Sequence, residues 1–321
     1  MSIILFYYVA IVCTAFFLVI TISYMRGKLG SKIFRPLVIQ PYAGNAIKKS
    51  YFLGLAFLES PLILTAISAI SFSDLLEISA QEREIITLIP FFYTILSGIS
   101  AAISIYFTGL CMNYFFKIFG AHPQYDSSLL MQLIIFSSTL QAPFILFMVS
   151  LFIHKSFFFA LTAVKMNEAS YFIFFHLTLL LFVQFGVMQN IKKILKELSF
   201  TYRVFPEYIK ELFITVLMQL GFLQAPYIFS FVCFLLLLQV YAKTYIYKVF
   251  IFSSATFLFS FIAYLIINSS GKIASTAIKN IDEKEKKNTS LINTSLLAQI
   301  ILDSRIIYML VILLIFISTI S

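Results

Sequence analysis

The sequence predicts an all-α integral membrane protein in which eight transmembrane helices form four tandem helical hairpins. The first observation is composition: 61% of the residues are hydrophobic and only 12% are charged, whereas soluble domains average about 25% charged residues. The second is a set of eight long apolar runs, which lack the two-residue alternation of membrane β-strands. The third is a short polar phrase that recurs once per pair of runs, as an internal repeat would.

The eight apolar runs are interpreted as membrane helices, because a helix needs about 20 apolar residues to cross the hydrocarbon core. They cover residues 3–25, 52–72, 87–112, 129–153, 170–189, 212–240, 246–268 and 292–319. No basic segment precedes the first run and no small-residue cleavage pattern follows it, so we expect a retained helix and not a signal peptide. Taken in pairs, the runs predict hairpins over residues 1–72, 85–153, 168–240 and 246–321.

The polar phrase lies in the second run of each pair. Its spacings of 82, 83 and 79 residues indicate one structural unit repeated four times. Prolines in the preceding loops support this register, because Pro41, Pro123 and Pro206 each lie 18 residues before the phrase, with Glu285 at that place in the fourth unit. The four copies of the phrase are Glu59-Ser60-Pro61, Gln141-Ala142-Pro143, Gln224-Ala225-Pro226 and Asp303-Ser304-Arg305.

Lysine and arginine are concentrated in alternate loops. The ranges 26–49, 117–126, 192–210 and 272–287 hold 17 of the 23 basic residues. The positive-inside rule places these loops in the cytoplasm and both termini outside. We therefore predict a multi-pass protein of a bacterial inner membrane or an equivalent membrane. The net charge of +9 follows from this topology, and no nucleic-acid partner is expected.

Two copies of the phrase place a carboxylate, Glu59 or Asp303, within a run that is expected to lie in lipid. Ionisable residues at such positions are costly and usually mark an ion path. Desolvation favours the protonated carboxyl, and a carboxyl that ionises only beside water or a fixed cation can carry a proton. Gln141 and Gln224 cannot ionise, and we interpret them as polar contacts between helices. Arg305 also needs a partner at this depth, and it is a possible modulator of Asp303.

No sequence pattern predicts chemistry by this chain alone. The sequence has no phosphate-binding loop, no dinucleotide fingerprint, no metal-ligand spacing and no nucleophile triad, so we expect no catalytic residue, no cofactor and no metal site. The three cysteines, Cys13, Cys111 and Cys233, lie in apolar runs without ligand spacing and are expected to be core residues. His176 is likewise expected to be a satisfied core residue.

The first hairpin resembles the c subunit, or proteolipid, of rotary ATP synthases. The similarity lies in Gln40-Pro41 of the basic loop and in the stretch from Gly54 to Pro61 that contains Glu59. That family is a two-helix hairpin with one carboxylate midway along its second helix. The resemblance implies that Glu59, and by repeat position Asp303, carry protons. It also implies a ring with further copies or other c-type subunits, a stator a-type subunit that carries an arginine, central-stalk subunits and surrounding lipid.

Two features bear on how such a rotor would work. Sodium-type rings place a glutamine on the first helix 33 residues before the carboxylate, where this chain has Arg26, so protons are favoured over sodium. Most of the first helices carry bulky phenylalanines where proteolipid rings carry glycine, which predicts a wider or looser ring.

The sequence is therefore compatible with three functions. The first is a fused proton-carrying rotor subunit. The second is a non-transporting, proteolipid-like scaffold or cap of a membrane assembly, which the two glutamines and the bulky first helices suggest. The third is an unrelated eight-helix transporter built from parallel repeats.

Overall fold

The computed structural model describes the backbone of residues 3–81, 88–119, 127–158, 163–204, 208–243, 246–281 and 288–320. Every element in these ranges is helical and none is a strand, which confirms the all-α prediction. Eight spans in the described residues are long and apolar enough to cross a membrane. The helices are α1 Ile3–Ile39, α2 Gly44–Gln81, α3 Leu88–Phe119, α4 Ser127–Ser138, α5 Ala142–Phe158, α6 Ala163–Val204, α7 Tyr208–Lys243, α8 Ile246–Lys279 and α9 Asn288–Ile320.

The helices continue well beyond the apolar runs. α1 has 37 residues and is therefore about 55 Å long, whereas the hydrocarbon core is about 30 Å thick. Its basic half extends the helix because lysine and arginine are good helix formers. The helix ends at Ile39. Gln40, which is fully buried, follows it, and Pro41 then begins a short 3-10 turn, Pro41–Ala43, that leads into α2.

The helices form two layers. The first helices of the hairpins, α1, α3, α6 and α8, pack against one another in chain order. The second helices form the other layer. In the second hairpin, α4 and α5 together make one span, and the order of the layer is α2, α4–α5, α7 and α9. Each of α2, α5 and α7 contacts the first helix of its own hairpin and the first helix of the next one. The molecule is therefore a row of four hairpins in which each second helix lies over the groove between two first helices.

Glycines allow the first helices to approach closely. A Cβ atom on Gly109 of α3 would lie 2.8 Å from Sδ of Met25 on α1, and one on Gly271 of α8 would lie 2.6 Å from Cβ of Asn190 on α6. The phenylalanines of the first helices are largely exposed, but several of their rings contact a neighbouring first helix. The ring of Phe175 stacks on that of Phe257, with 5.6 Å between centroids, and the ring of Phe182 lies 4.5 Å from that of Tyr264. The exposed rings are Phe16, Phe17, Phe174, Phe175, Phe182, Phe185, Phe257 and Phe261. The α1–α3 and α6–α8 contacts are therefore close at these glycines, and the wider or looser ring stays a prediction.

The two ends of the row are the least buried parts. In each of α1 and α9, only 22% of the most apolar 18-residue segment is buried, compared with 72% of that segment in α3. Within the described residues there is no extensive contact between the first and last hairpins. The row is therefore open, and each end presents a helical surface that no other hairpin of the chain covers.

Candidate interhelical site at the repeated phrase

The repeated phrase lies at the contacts between consecutive hairpins. The side-chain amide of Gln141 donates a hydrogen bond to the backbone carbonyl of Phe57, and its carbonyl accepts one from the Ser60 hydroxyl at 2.8 Å. Gln224 repeats the first of these bonds one hairpin later, because its amide donates to the carbonyl of Thr139 at 3.1 Å. In both cases the glutamine binds a carbonyl of the preceding hairpin, that of the residue two positions before the phrase of that hairpin.

The prolines of the phrase explain why these carbonyls need a partner. Proline has no N–H group, so in a helix it leaves the carbonyl four residues earlier without its donor. Pro61 thus frees the carbonyl of Phe57, and Pro143 frees that of Thr139. α2 continues through Pro61, whereas the helix before Pro143 changes to a 3-10 turn over Thr139–Gln141. The glutamine of the following hairpin supplies the missing donor in each case.

Glu59 forms an ion pair with Arg26 of its own hairpin. The two residues are 33 positions apart in the sequence, on α2 and α1. Their side chains remain 39% exposed for Glu59 and 46% exposed for Arg26. Arg26 directly follows the first apolar run, so the pairing places the Glu59 carboxylate toward the basic end of the hairpin. Both positions are identifiable from the sequence, but their pairing is not predicted by it.

Asp303 is in a different environment. Asp303 is only 5% exposed, and neither oxygen of its carboxyl group has a hydrogen-bond partner. The same face of α9 carries Ile306, which is in a buried cluster with Cys233 of α7 and Phe259 of α8. Asp303 is thus a buried carboxyl with no cation beside it among the described residues.

Further buried oxygen atoms lie on the helices that surround Asp303. Gln299, one turn earlier on α9, donates from its side-chain amide to the carbonyl of Ser270 at 3.2 Å. The side-chain oxygens of Gln299 and Ser270 are fully buried and have no partner. Ser270 precedes Asp303 by 33 residues, the spacing that separates Arg26 from Glu59. The fourth hairpin therefore has a serine hydroxyl where the first hairpin has a guanidinium group.

Arg305 does not pair with Asp303. Arg305 is exposed, whereas Asp303 is buried, since residues two positions apart on a helix face different directions. Among the ion pairs of the described residues, none involves Arg305. The other three units have a buried proline at the position equivalent to Arg305, namely Pro61, Pro143 and Pro226.

Other polar contacts tie the layer of first helices together. Ser100 of α3 and Gln184 of α6 bond reciprocally, with the serine hydroxyl donating to the amide oxygen at 2.8 Å. The buried His176 has a ring nitrogen 2.6 Å from the Thr256 hydroxyl of α8 and another 2.7 Å from the Phe172 carbonyl. The three cysteines are free thiols; Cys111 and Cys233 are buried and Cys13 is exposed, contrary to its expected core position.

Several predicted features lie outside the described residues, namely Pro123, Pro206 and Glu285. Within the described residues, no three His, Cys, Asp or Glu side chains are grouped so that they could hold a metal ion. No protein-family model, no curated protein and no solved structure matches this chain.

Proposed function

We propose that this chain is a fused, proteolipid-like rotor subunit of a rotary ATP synthase or ATPase, and that it carries protons on its membrane-embedded carboxyls. The arrangement of the hairpins supports this proposal, because a row in which second helices cover the grooves between first helices can be continued by further units. Its partners would be further copies or c-type subunits, an arginine-bearing stator a-type subunit, central-stalk subunits and lipid.

The buried, unpaired carboxyl of Asp303 is the observation that carries the proposal. An isolated carboxylate in an apolar interior is very costly unless it binds a proton or meets a counter-ion. Pro226 frees the carbonyl of Phe222 in α7, as Pro61 frees that of Phe57. By repeat position, that carbonyl is the group to which a protonated Asp303 would donate, as Gln141 and Gln224 donate in the earlier hairpins. We therefore assign the principal carrier role to Asp303.

Glu59 has the second carrier role in this proposal. Its ion pair with Arg26 stabilises the ionised carboxylate, so Glu59 can take up a proton only after that pair opens. An approaching stator arginine would compete with Arg26 for the carboxylate. Proton uptake at Glu59 accordingly needs the opening of an ion pair, a step that Asp303 does not need.

Two matched carboxyl-to-amide substitutions test the assignment in membrane vesicles that contain the assembled ATPase. We expect Asp303→Asn to abolish ATP-driven proton uptake and Glu59→Gln to reduce it. A carbodiimide should modify Asp303, and Asp303→Asn should remove that labelling. Repeating the assay with and without sodium separates proton binding from sodium binding, since sodium at this site would protect Asp303 from the carbodiimide. Unchanged proton uptake in both variants would overturn the proposed function.

A non-transporting scaffold is the second candidate function. The observation that favours it is that Glu59, Gln141 and Gln224 all make contacts that join helices. A scaffold would assemble normally and leave proton uptake unchanged in the double variant Glu59→Gln, Asp303→Asn. A rotor would also assemble in that variant, but proton uptake would be lost.

A further inference from the structure

We propose that Asp303 exchanges its proton with the side of the membrane that carries the basic loops, along a buried polar track inside this chain. The track rests on the proposed carrier role of Asp303, and it supplies a route by which a proton reaches that carboxyl group. Water is the ligand that would bind along it. The track consists of four side chains, namely Ser295 and Gln299 of α9, Gln219 of α7 and Ser270 of α8.

The polar residues of α9 lie on one face of the helix. Ser295, Gln299 and Asp303 follow one another at four-residue intervals, a spacing that places them along the same side. All three are buried, with exposed fractions of 6%, 0% and 5%. Eight residues of α-helix rise about 12 Å, so the polar face runs about 12 Å from Asp303 toward the basic range 272–287.

The neighbouring helices add polar groups to this face. Gln219 donates from its side-chain amide to the Ser295 hydroxyl oxygen at 2.5 Å, and Gln299 donates to the Ser270 carbonyl at 3.2 Å. The amide oxygens of both glutamines, the Ser270 hydroxyl and both carboxyl oxygens of Asp303 are buried and have no partner. A buried water molecule typically makes about three hydrogen bonds to such groups. The track is therefore suited to bind water between the helices.

The hairpins without a buried carboxyl lack this pair of polar residues. In the third hairpin, whose phrase begins with Gln224, the residues equivalent to Ser295 and Gln299 are Val216 and Leu220, both fully buried. The equivalents in the other two hairpins are Tyr51 with Leu55 and Leu133 with Ser137. The amide of Gln299 therefore occurs in the one hairpin whose phrase residue is a buried carboxyl.

The track leads from Asp303 in one direction. Beyond Asp303 the buried face of α9 is apolar, since Ile306 and Leu313 lie in a cluster with Phe259 of α8. In the other direction, a single buried side chain of α9, that of Ile292, lies between Ser295 and the exposed Ser290. A proton at Asp303 thus has polar groups on the side of the basic loops and an apolar seal on the opposite side.

No other titratable group lies on the track among the side chains described on α7, α8 and α9. Tyr227 donates to the Pro143 carbonyl, and Tyr264 lies against Phe182 of α6. Cys233 is in the apolar cluster beyond Asp303. The remaining titratable groups are exposed, namely Lys272, Lys279, Arg305 and Tyr308.

Water and Asp303 are therefore the proton-binding groups of the track. A proton passes from a hydronium ion to a carboxylate oxygen of Asp303, where an O–H bond forms and a water molecule is left. The return step reverses this transfer.

Sided chemical labelling of Asp303 tests the track. A membrane-permeant carbodiimide reacts with a protonated carboxyl, so the rate of labelling reports proton binding. Sealed membrane vesicles are held at different pH inside and outside, in a variant whose three cysteines are replaced by alanine. Tyr42→Cys, labelled by an impermeant maleimide, identifies the side of the basic loops. Labelling of Asp303 should rise on acidification of that side, by at most about tenfold per pH unit, and should not respond to the other side.

Three substitutions separate the track from a general loss of packing. Gln299→Leu should abolish the response to pH on the side of the basic loops, because it removes the polar group next to Asp303. Gln299→Asn keeps an amide and should retain the response. Gln184→Leu is the matched control, since it removes an equally buried amide that bonds to Ser100 between α3 and α6. It should also retain the response.

The proposal is overturned if labelling follows the pH of the opposite side or of both sides equally. It is equally overturned if Gln299→Leu responds as the parent does, or if Gln184→Leu loses the response as well. Failure of the rotor function has a different result. Labelling would still follow the side of the basic loops, while Asp303→Asn would leave proton uptake unchanged.

Discussion

Gln141 and Pro61 act as one unit although they lie on different hairpins. The proline withdraws a donor from the Phe57 carbonyl, and the glutamine amide replaces that donor from outside the helix. In lipid no water is available to bind a freed carbonyl. The polar residue and the proline of the phrase are therefore two halves of one interhelical contact, with each hairpin supplying the carbonyl for the next.

This coupling predicts the result of a double-mutant cycle. We expect Gln141→Leu to destabilise the fold by about 1–3 kcal/mol, because it removes both the amide donor of the Phe57 carbonyl and the acceptor of the Ser60 hydroxyl. Pro61→Ala restores a backbone N–H, so the same leucine substitution should cost less in that background, with a coupling of roughly 0.5–3 kcal/mol. Reversible unfolding in mixed micelles gives the four stabilities. Equal costs of Gln141→Leu in both backgrounds would contradict the coupling.

At the scale of the helices, glycines determine how closely the first layer packs. Gly271 lies against Asn190, whose side chain also bonds to Asn268 at 2.8 Å. The glycine and the two asparagines thus fix the distance between α6 and α8. Small residues at helix contacts are the usual means of close packing in membranes, where van der Waals contact largely replaces the hydrophobic effect.

Two glycine-to-alanine substitutions separate packing from helix propensity. Gly271→Ala should destabilise the protein by about 1–3 kcal/mol, because the new methyl group overlaps Asn190. Gly221→Ala is the control, since no atom lies within 4 Å of a Cβ built there. Its expected effect is a stabilisation of roughly 0.5–1 kcal/mol, from the lower backbone entropy of alanine. Thermal unfolding in detergent measures both, and similar shifts for the two variants would show that Gly271 has no packing role.

The sequence predicted the helices better than it predicted their contacts. Apolar runs locate a membrane helix because lipid requires them, but they do not locate its end, so α1 continues through Arg26 to Ile39. The repeat identified Glu59 and Gln141 as equivalent residues. It could not show that one pairs with Arg26 and the other with the Phe57 carbonyl, because these contacts depend on the packing of separate helices. The sequence likewise could not show whether Asp303 and Arg305 pair with each other. They do not, because Asp303 lies on the buried side of α9 and Arg305 on the exposed side.

For the whole molecule, the open row has consequences for the placement of charge. Gln141 is buried and Gln224 is half-buried at the contacts between hairpins, whereas Arg26 and Arg305 are exposed and Glu59 is 39% exposed. Asp303 is the exception among these ionisable residues, since it is buried against α7 and α8. Exposed charge within the apolar span is costly in lipid, so the ion pair between Glu59 and Arg26 lowers the cost of both groups.

The orientation of the row in the membrane is the remaining prediction. The basic loops should lie in the cytoplasm and both termini outside, because lysine and arginine near helix ends are retained on that side. Tyr42 is a suitable reporter, since it is 78% exposed in the turn between α1 and α2. In a variant whose three native cysteines are replaced by alanine, Tyr42→Cys should react with a membrane-impermeant maleimide in inverted vesicles but not in intact cells. Ala80→Cys, near the opposite end of α2, should show the reverse. The opposite pattern for both sites would mean that the protein inserts against its charge asymmetry, and it would place Arg26 and Glu59 nearer the outer surface than the cytoplasm.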